Sequence, residues 1–137
     1  MAVFKDADEV NTYIGGMFQL AVADPAVIEA TKDGDLVVRM ILSDPDCEMV
    51  IDFPAGKVFT GAAADGLDST VQLIMSGDNG NKFWQGKLNF MAAMAMRKVK
   101  LEGKRSVAMS LLPLTEPLFG KYTDLLKAEG REDLLID

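Results

Sequence analysis

The segment from Gln85 to Met109, QGKLNFMAAMAMRKVKLEGKRSVAM, constrains the fold of this chain more than any other stretch. It begins with a Gly turn and a short apolar helix rich in Ala and Met. Alternation of basic and apolar residues then predicts a strand over 97–103, and a second apolar helix follows Gly103. The helix therefore carries many flexible apolar side chains, and only one strand is available to cover it. This pattern indicates a domain built around a cavity for an oily ligand.

The rest of the chain predicts a single α+β domain. A helix begins at Asp6, which forms a capping box with Glu9, and it ends before Pro25, because proline disfavours helix in the preceding residue. Three short β-rich runs predict an antiparallel meander, and a fourth run precedes the loop-like residues 77–81. The predicted strands are 36–44, 47–53, 57–61, 69–76 and 97–103. The order is therefore helix, three strands, a crossover strand, helices, strand and helix, with the helices mostly on one face of the sheet.

Composition narrows the classes of function. The 137 residues are 49% hydrophobic, which is enough for one domain with a sizeable core. The net charge of −7 disfavours a nucleic-acid partner, because phosphates would be repelled. There is no histidine, and the single Cys47 excludes an internal disulfide. We therefore expect a protein that is not an enzyme, with no catalytic residue, metal site or cofactor.

The location of the protein is also constrained. The acidic N-terminus has no apolar signal core, and no run approaches the roughly 20 apolar residues that a membrane span requires. The lone Cys47 fits a reducing compartment. We expect a cytoplasmic protein without an integral membrane segment.

The segment 85–109 resembles the sterol carrier protein type 2 (SCP2) family of lipid-binding domains. The family pattern is a Gly-Lys-apolar-Asn turn, an Ala-rich and aromatic-rich helix, a Lys-apolar-Lys-apolar strand, then Gly and an apolar helix. The matching residues are Gly86, Lys87, Leu88, Asn89, Ala93, Lys98, Val99, Lys100, Leu101, Gly103, Ala108, Met109 and Leu111. The resemblance extends from about Asp6 to Leu118. Arg97 stands where many members have Gly, and Phe90 where a Pro often follows the Asn, which predicts a local change at the turn between helix and strand.

The resemblance implies a five-stranded mixed sheet covered by helices, with a tunnel between them. Members bind sterols, fatty acids, fatty acyl-CoAs or phospholipids without chemistry, and some are fused to enzymes. In this chain the ligand would lie between the sheet and the helices at 83–96 and 106–119. The predicted lining residues are Phe83, Trp84, Leu88, Phe90, Met91, Met94, Ala95, Leu111, Leu112, Leu118 and Phe119.

Several of these residues also have a plainer explanation. Met91 and Met94 share a helix face with Ala95 beside them, and we expect that face to look into the tunnel, but ordinary core packing produces the same pattern. Trp84 also fits a core aromatic whose N–H is paired with the backbone.

The end of the chain has two interpretations. Pro113 and Pro117 should break regular helix. Residues 113–137 would then be either a lid over the tunnel mouth or a C-terminal helical extension that completes the core.

Basic residues cluster between Lys82 and Arg105. They could meet a ligand carboxylate, a CoA phosphate or an anionic membrane surface, or they could simply be solvated. Lys98 and Lys100 should point away from the tunnel, since alternate residues of a strand face opposite sides. The expected partners are therefore a hydrophobic small molecule or lipid and, transiently, a membrane surface or an enzyme. The alternative function is an accessory module of an enzyme complex with a filled core.

Overall fold

The computed structural model describes residues 2–136, and its centre is a five-stranded mixed sheet. The strands are β1 Val37–Ser43, β2 Cys47–Asp52, β3 Lys57–Thr60, β4 Val71–Ser76 and β5 Val99–Gly103. They lie in the order β3-β2-β1-β4-β5, in which β1 and β4 are parallel and the other neighbours are antiparallel. The predicted α+β class, element order and mixed sheet are confirmed.

Five α-helices accompany the sheet in the described residues. They are α1 Ala7–Ala23, α2 Pro25–Thr31, α3 Gly77–Trp84, α4 Phe90–Ala95 and α5 Arg105–Ala128. The predicted cap of α1 is present, because the Asp6 carboxylate accepts a hydrogen bond from the Glu9 amide at 3.0 Å. Residues 77–81 are the first part of α3 rather than a loop, since the Ser76 hydroxyl caps this helix by accepting from the Asn79 amide at 3.1 Å.

The long helix α5 runs unbroken through both of its prolines. This corrects the prediction that Pro113 and Pro117 interrupt it. Both proline rings are exposed, whereas the opposite side of the helix buries a continuous stripe that includes Leu111 and Leu118. A proline inside a helix costs about 3 kcal/mol, and burial of this stripe against the domain offsets that cost.

One face of the sheet forms the main core with the helices. Alternate residues of β1 and β4, including Met40 and Leu73, are buried there, because side chains of a strand alternate between its two faces. On the opposite face, the Arg39 guanidinium donates to the carbonyl oxygens of Ala64 (2.9 Å) and Leu67 (2.7 Å). A loop therefore covers part of the outer face, and the helices occupy the inner one.

Arg97, between α4 and β5, has a left-handed backbone with φ of +61°. A residue with a Cβ atom adopts this conformation at a cost of about 1–2 kcal/mol, whereas glycine adopts it freely. The local change that we predicted at this turn is therefore backbone strain at Arg97.

Candidate ligand-binding site

An aromatic cluster joins α1, α3, α4 and α5. The ring of Trp84 lies edge-on to Phe18 and Phe83, with centroids 5.1 and 4.6 Å apart. Phe83 also contacts Phe90 at 5.3 Å and Phe119 at 6.1 Å. The fold thus brings together four of the predicted lining residues, although they lie up to 36 positions apart in the sequence.

The turn after α3 allows this cluster to close. Gly86 has φ of +73°, and a Cβ atom on it would lie 2.9 Å from the ring of Phe119. Only glycine combines this backbone with so close an approach. The Gly turn predicted at the start of the segment 85–109 therefore positions Phe119 of α5 against α3.

The predicted lining residues differ widely in exposure. Phe83, Trp84, Leu111 and Leu118 are buried in the core, whereas Leu88, Phe90, Met94, Leu112 and Phe119 are half-buried and Met91 and Ala95 are exposed. Met91 is 71% exposed and Ala95 is also exposed, whereas Met94 is half-buried, so only part of the face of α4 that we expected to look inward is covered. The buried residue of α4 is Ala93, because this short helix packs on β5 through the face of Phe90, Ala93 and Met94. Contact between any of these residues and a ligand remains a prediction.

Trp84 is fully buried, and its Nε1–H has no hydrogen-bond partner among residues 2–136. This corrects the expectation that the indole N–H pairs with the backbone. An unpaired buried donor costs about 1–3 kcal/mol. The indole therefore has apolar surroundings, and its fluorescence should respond to any polar or apolar group that enters the aromatic cluster.

A cleft of about 520 Å³ lies on the other side of α5. It is bounded by the end of α2, the residues before β1 and the first half of α5, and its lining includes Leu36, Val107 and Leu114. This volume is typical of a small-molecule site. None of the eleven predicted lining residues contributes to the cleft.

Sequence reasoning missed this lining because it ended the helix at Pro113. Val107, Ser110 and Leu114 recur at i, i+3 and i+7, which is one side of a helix. They flank the buried stripe of Leu111 and Leu118. The helical periodicity was present in the sequence, but it is visible only when α5 continues through the proline.

A buried polar network holds the C-terminal residues. The Tyr122 hydroxyl and the Gln85 amide both donate to Asn81 Oδ1, at 2.7 and 3.0 Å. Asn81 Nδ2 and Gln85 Nε2 donate to the Leu134 carbonyl at 2.9 and 2.8 Å, and the Ile136 amide donates to Gln85 Oε1 at 2.8 Å. Burial raises the pKa of Tyr122 far above its ordinary value. The described part of 113–137 is thus the rest of α5 followed by a tail docked on α3.

Other kinds of site find little support in residues 2–136. No group of three or more His, Cys, Asp and Glu side chains there could hold a metal ion. Cys47 is buried, its thiol donates to Asn11 Oδ1 at 3.1 Å, and burial raises the pKa of this thiol. None of the helices in this range is long and apolar enough to cross a bilayer.

The mixed sheet, the helices on its inner face and the cleft beside α5 define a small α+β domain with space for a small molecule. The family model described as the SCP-2 sterol transfer family matches residues 17–116, and the chain belongs to this family. No individual curated protein gives a significant sequence match.

Solved structures with the same fold include three proteins that cover most of the chain. The sterol carrier protein domain 2 of Helicoverpa armigera has a TM-score of 0.68 and 21% identity, over 88% of this chain and 95% of its own. The apo form of sterol carrier protein 2 from Yarrowia lipolytica has a TM-score of 0.62 and 19% identity, over 85% and 96%. The ubiquinone synthesis protein UbiJ-SCP2 has a TM-score of 0.51 and 13% identity, over 82% and 90%. At these identities the similarity shows the fold alone.

Proposed function

We propose that this protein binds or transfers a hydrophobic small molecule, without chemistry, in apolar space between the sheet and the helices. The observation that carries the proposal is the family match over residues 17–116, since this family is one of sterol transfer. The ligand class is a fatty acid, a fatty acyl-CoA, a sterol or another lipid. The cleft of about 520 Å³ beside α5 supports the proposal with a suitable volume.

Apolar burial provides the main driving force for such a ligand. Each buried methylene contributes about 0.8 kcal/mol. A chain of roughly 15 methylenes would gain about 12 kcal/mol, from which association and ordering costs of about 4–15 kcal/mol are subtracted.

We propose the cleft as the entrance of the site and the aromatic cluster around Phe83 as its inner end. The cleft side of α5 carries Val107 and Leu114, and its other side carries Leu112 and Phe119. A ligand chain that enters at Leu114 would extend beneath α5 toward Phe119. This path requires the buried side chains of α5 between them, Leu111 and Leu118, to rearrange.

The test combines ligand titration with a matched pair of variants. Delipidated protein is titrated with a fatty acid, a fatty acyl-CoA and a sterol while Trp84 fluorescence is followed, and fresh protein is examined for bound lipid by native mass spectrometry. Leu114→Gln should weaken binding by about tenfold, since one leucine contact in the cleft is lost. Leu125→Gln is the control, because Leu125 is also half-buried on the same side of α5 but lies outside the cleft.

Two results would contradict parts of this proposal. No saturable response to any of the three ligands, together with no lipid in fresh protein, would remove the lipid-binding function. An equal loss of affinity in the Leu114 and Leu125 variants would remove the cleft from the site.

A second candidate function is an accessory module with a filled core. Full burial of Trp84, Leu118, Tyr122 and Leu126 favours it, because these large side chains occupy the space beneath α5. Purification from the native host under mild conditions separates the candidates, since an accessory module would elute with a stoichiometric protein partner and without lipid.

A further inference from the structure

The outer face of the sheet carries apolar side chains that the helices leave uncovered. Ile41 of β1 and Ile74 of β4 point to this face and lie side by side, because they are partners in the parallel register of the two strands. Both are half-buried, and neither belongs to the main core or packs against it. The loop at 61–68 packs on β2 and β3, where it buries Val50. Two neighbouring isoleucines therefore form an apolar centre on the open part of this face.

Opposite charges stand at the two ends of the same row across the sheet. Glu48 of β2 is the cross-strand partner of Ile41, and Lys100 of β5 is the partner of Ile74. Both charged side chains are exposed, and strands lie about 4.8 Å apart, so about 14 Å separates these two residues. The Arg39 guanidinium contacts the Glu48 carboxylate at 2.9 Å, whereas Lys100 has no ion pair within residues 2–136. The row thus runs from a negative end, through two isoleucines, to a positive end.

A row with this order of residues is complementary to its own reverse. A second copy can pack face to face on the first, with a two-fold axis parallel to the strands and between β1 and β4. Its row then runs in the opposite direction, so Glu48 lies opposite the partner's Lys100 and Ile41 lies opposite the partner's Ile74. Each contact occurs twice, as in any isologous interface. Sheets packed in this way lie about 10 Å apart, a gap that a glutamate and a lysine side chain span together.

The neighbouring row fits the same axis. Arg39 and Gln72 are partners at its centre, and Glu102 stands at its β5 end. Reversal brings the partner's Glu102 to β2, where Glu48 and the loop hold the Arg39 guanidinium. Since β5 is an edge strand, the partner's sheet ends there and leaves room for the loop that rises on β2 and β3. Charge and shape therefore agree with one and the same arrangement.

Each of these residues also has a simpler explanation when it is taken singly. One face of a sheet commonly meets water, and single apolar residues on a surface need no partner. A charge on an edge strand, such as Lys100, prevents pairing with the edge of another sheet. These explanations do not account for the order of the residues, in which Glu48 and Lys100 flank the two isoleucines symmetrically and with opposite charge.

We propose that two copies of this protein pair through the outer faces of their sheets, with Ile41 and Ile74 at the centre and a Glu48–Lys100 pair on either side. The open face measures about 19 Å across four strands and about 20 Å along them, or about 400 Å² per copy. This is half of the roughly 800 Å² per partner in a stable complex, so the dimer is transient, with a Kd on the order of 100 μM. None of these residues lines the cleft beside α5, so the inference does not rest on the proposed lipid binding.

The experiment measures sedimentation velocity at protein concentrations from about tenfold below to about tenfold above this Kd, at low and high salt. Glu48→Lys and Lys100→Glu each replace two attractive pairs by two repulsive ones, and each should weaken the dimer about 30-fold at low salt. An equal mixture of the two variants should associate as the unaltered protein does. In the mixed dimer, the introduced lysine of one chain meets the introduced glutamate of the other, and the second pair is the native one.

Two further variants test the apolar centre and control for net charge. Ile74→Thr should weaken the dimer at both salt concentrations, because the apolar contribution is not screened. Lys57→Glu changes the net charge as Lys100→Glu does, but it lies on β3, opposite no strand of the second copy, and should leave the dimer intact. Circular dichroism checks folding, because Glu48→Lys also loses the ion pair with Arg39. Lys100→Glu loses no ion pair and tests the interface by itself.

Three results would overturn this inference. The first is an unaltered protein that stays monomeric at the highest concentration in low salt. The second is a dimer that survives Lys100→Glu and Ile74→Thr, since its interface would then lie elsewhere. The third is a mixture of folded Glu48→Lys and Lys100→Glu proteins that remains monomeric, because a two-fold interface requires them to pair. Absence of any response to lipid would contradict the proposed function and leave the dimer supported.

Discussion

Replacement of Tyr122 by Phe tests the buried network that holds the C-terminal tail. The Tyr122 hydroxyl is fully buried and donates to Asn81 Oδ1 at 2.7 Å. Phenylalanine keeps the ring in the core, and Asn81 Oδ1 retains a second donor, the Gln85 amide at 3.0 Å. The variant therefore loses one hydrogen bond without leaving an unpaired acceptor. We expect a loss of about 1 kcal/mol in the free energy of unfolding.

The same variant has a signature in alkaline solution. Burial raises the pKa of Tyr122 above its ordinary value of 10.0, because the phenolate would be desolvated. Above about pH 10 the unfolded chain loses this proton while the folded protein keeps it, so stability falls as pH rises. The slope due to this one group is about 1.4 kcal/mol per pH unit. In Tyr122→Phe this loss of stability with rising pH should be absent.

Urea unfolding, followed by far-ultraviolet circular dichroism from neutral pH to about pH 11, measures both effects. Asn81→Ala provides the comparison, because it leaves the buried Tyr122 hydroxyl without an acceptor and should cost more, about 2–4 kcal/mol. If Tyr122→Phe had the same free energy of unfolding as the unaltered protein at neutral pH, and the same dependence of that free energy on alkaline pH, the network would not form as described. A smaller loss in Asn81→Ala than in Tyr122→Phe would also refute the reasoning.

Three further predictions concern local packing. Gln85→Ala removes both hydrogen bonds that the Gln85 side chain makes with the residues after α5. Amide hydrogen exchange should therefore accelerate in those residues and stay unchanged in α1. Unchanged exchange after α5 would mean that Gln85 does not hold the tail. Gly103→Ala would put a Cβ atom 2.2 Å from a backbone oxygen beside β4 and should cost more than about 3 kcal/mol in thermal unfolding. Gly61→Ala, with nothing within 4 Å, should cost only about 1 kcal/mol. Leu118→Ala should cost about 2–5 kcal/mol, because this side chain is fully buried, and a change near zero would mean that α5 does not cover a packed core.

The sequence predicted those parts of the fold that have a local signature. The cap at Asp6 and the Lys-apolar alternation of β5 each depend on residues a few positions apart, and both are present. Pairing between distant strands has no local signature, and there the family resemblance supplied the five-stranded mixed sheet, whereas the order β3-β2-β1-β4-β5 was not predicted. The two together were sufficient for the fold class.

The candidate site was less predictable, for physical reasons. A helix of six residues, such as α4, has too few turns for periodicity to identify its buried face, so the orientation of Met91 depended on packing against β5. The hydrogen bond between Asn81 and Leu134 joins residues 53 positions apart, and no local sequence pattern predicts it. The cleft lined by Val107 and Leu114 was missed because the intrinsic preference of proline was given more weight than burial.

The two prolines of α5 also determine how this helix deforms. Proline has no N–H, so Pro113 and Pro117 give nothing to the carbonyls of Met109 and Pro113 one turn earlier. Two backbone hydrogen bonds are therefore missing in the middle of α5, on its solvent-facing side. Bending there breaks fewer bonds than bending elsewhere in α5. The first half of α5, as far as Leu114, borders the cleft, while Tyr122 anchors the second half to α3. The residues that failed to end the helix therefore mark the place where α5 bends most easily, between the half at the cleft and the half anchored to α3.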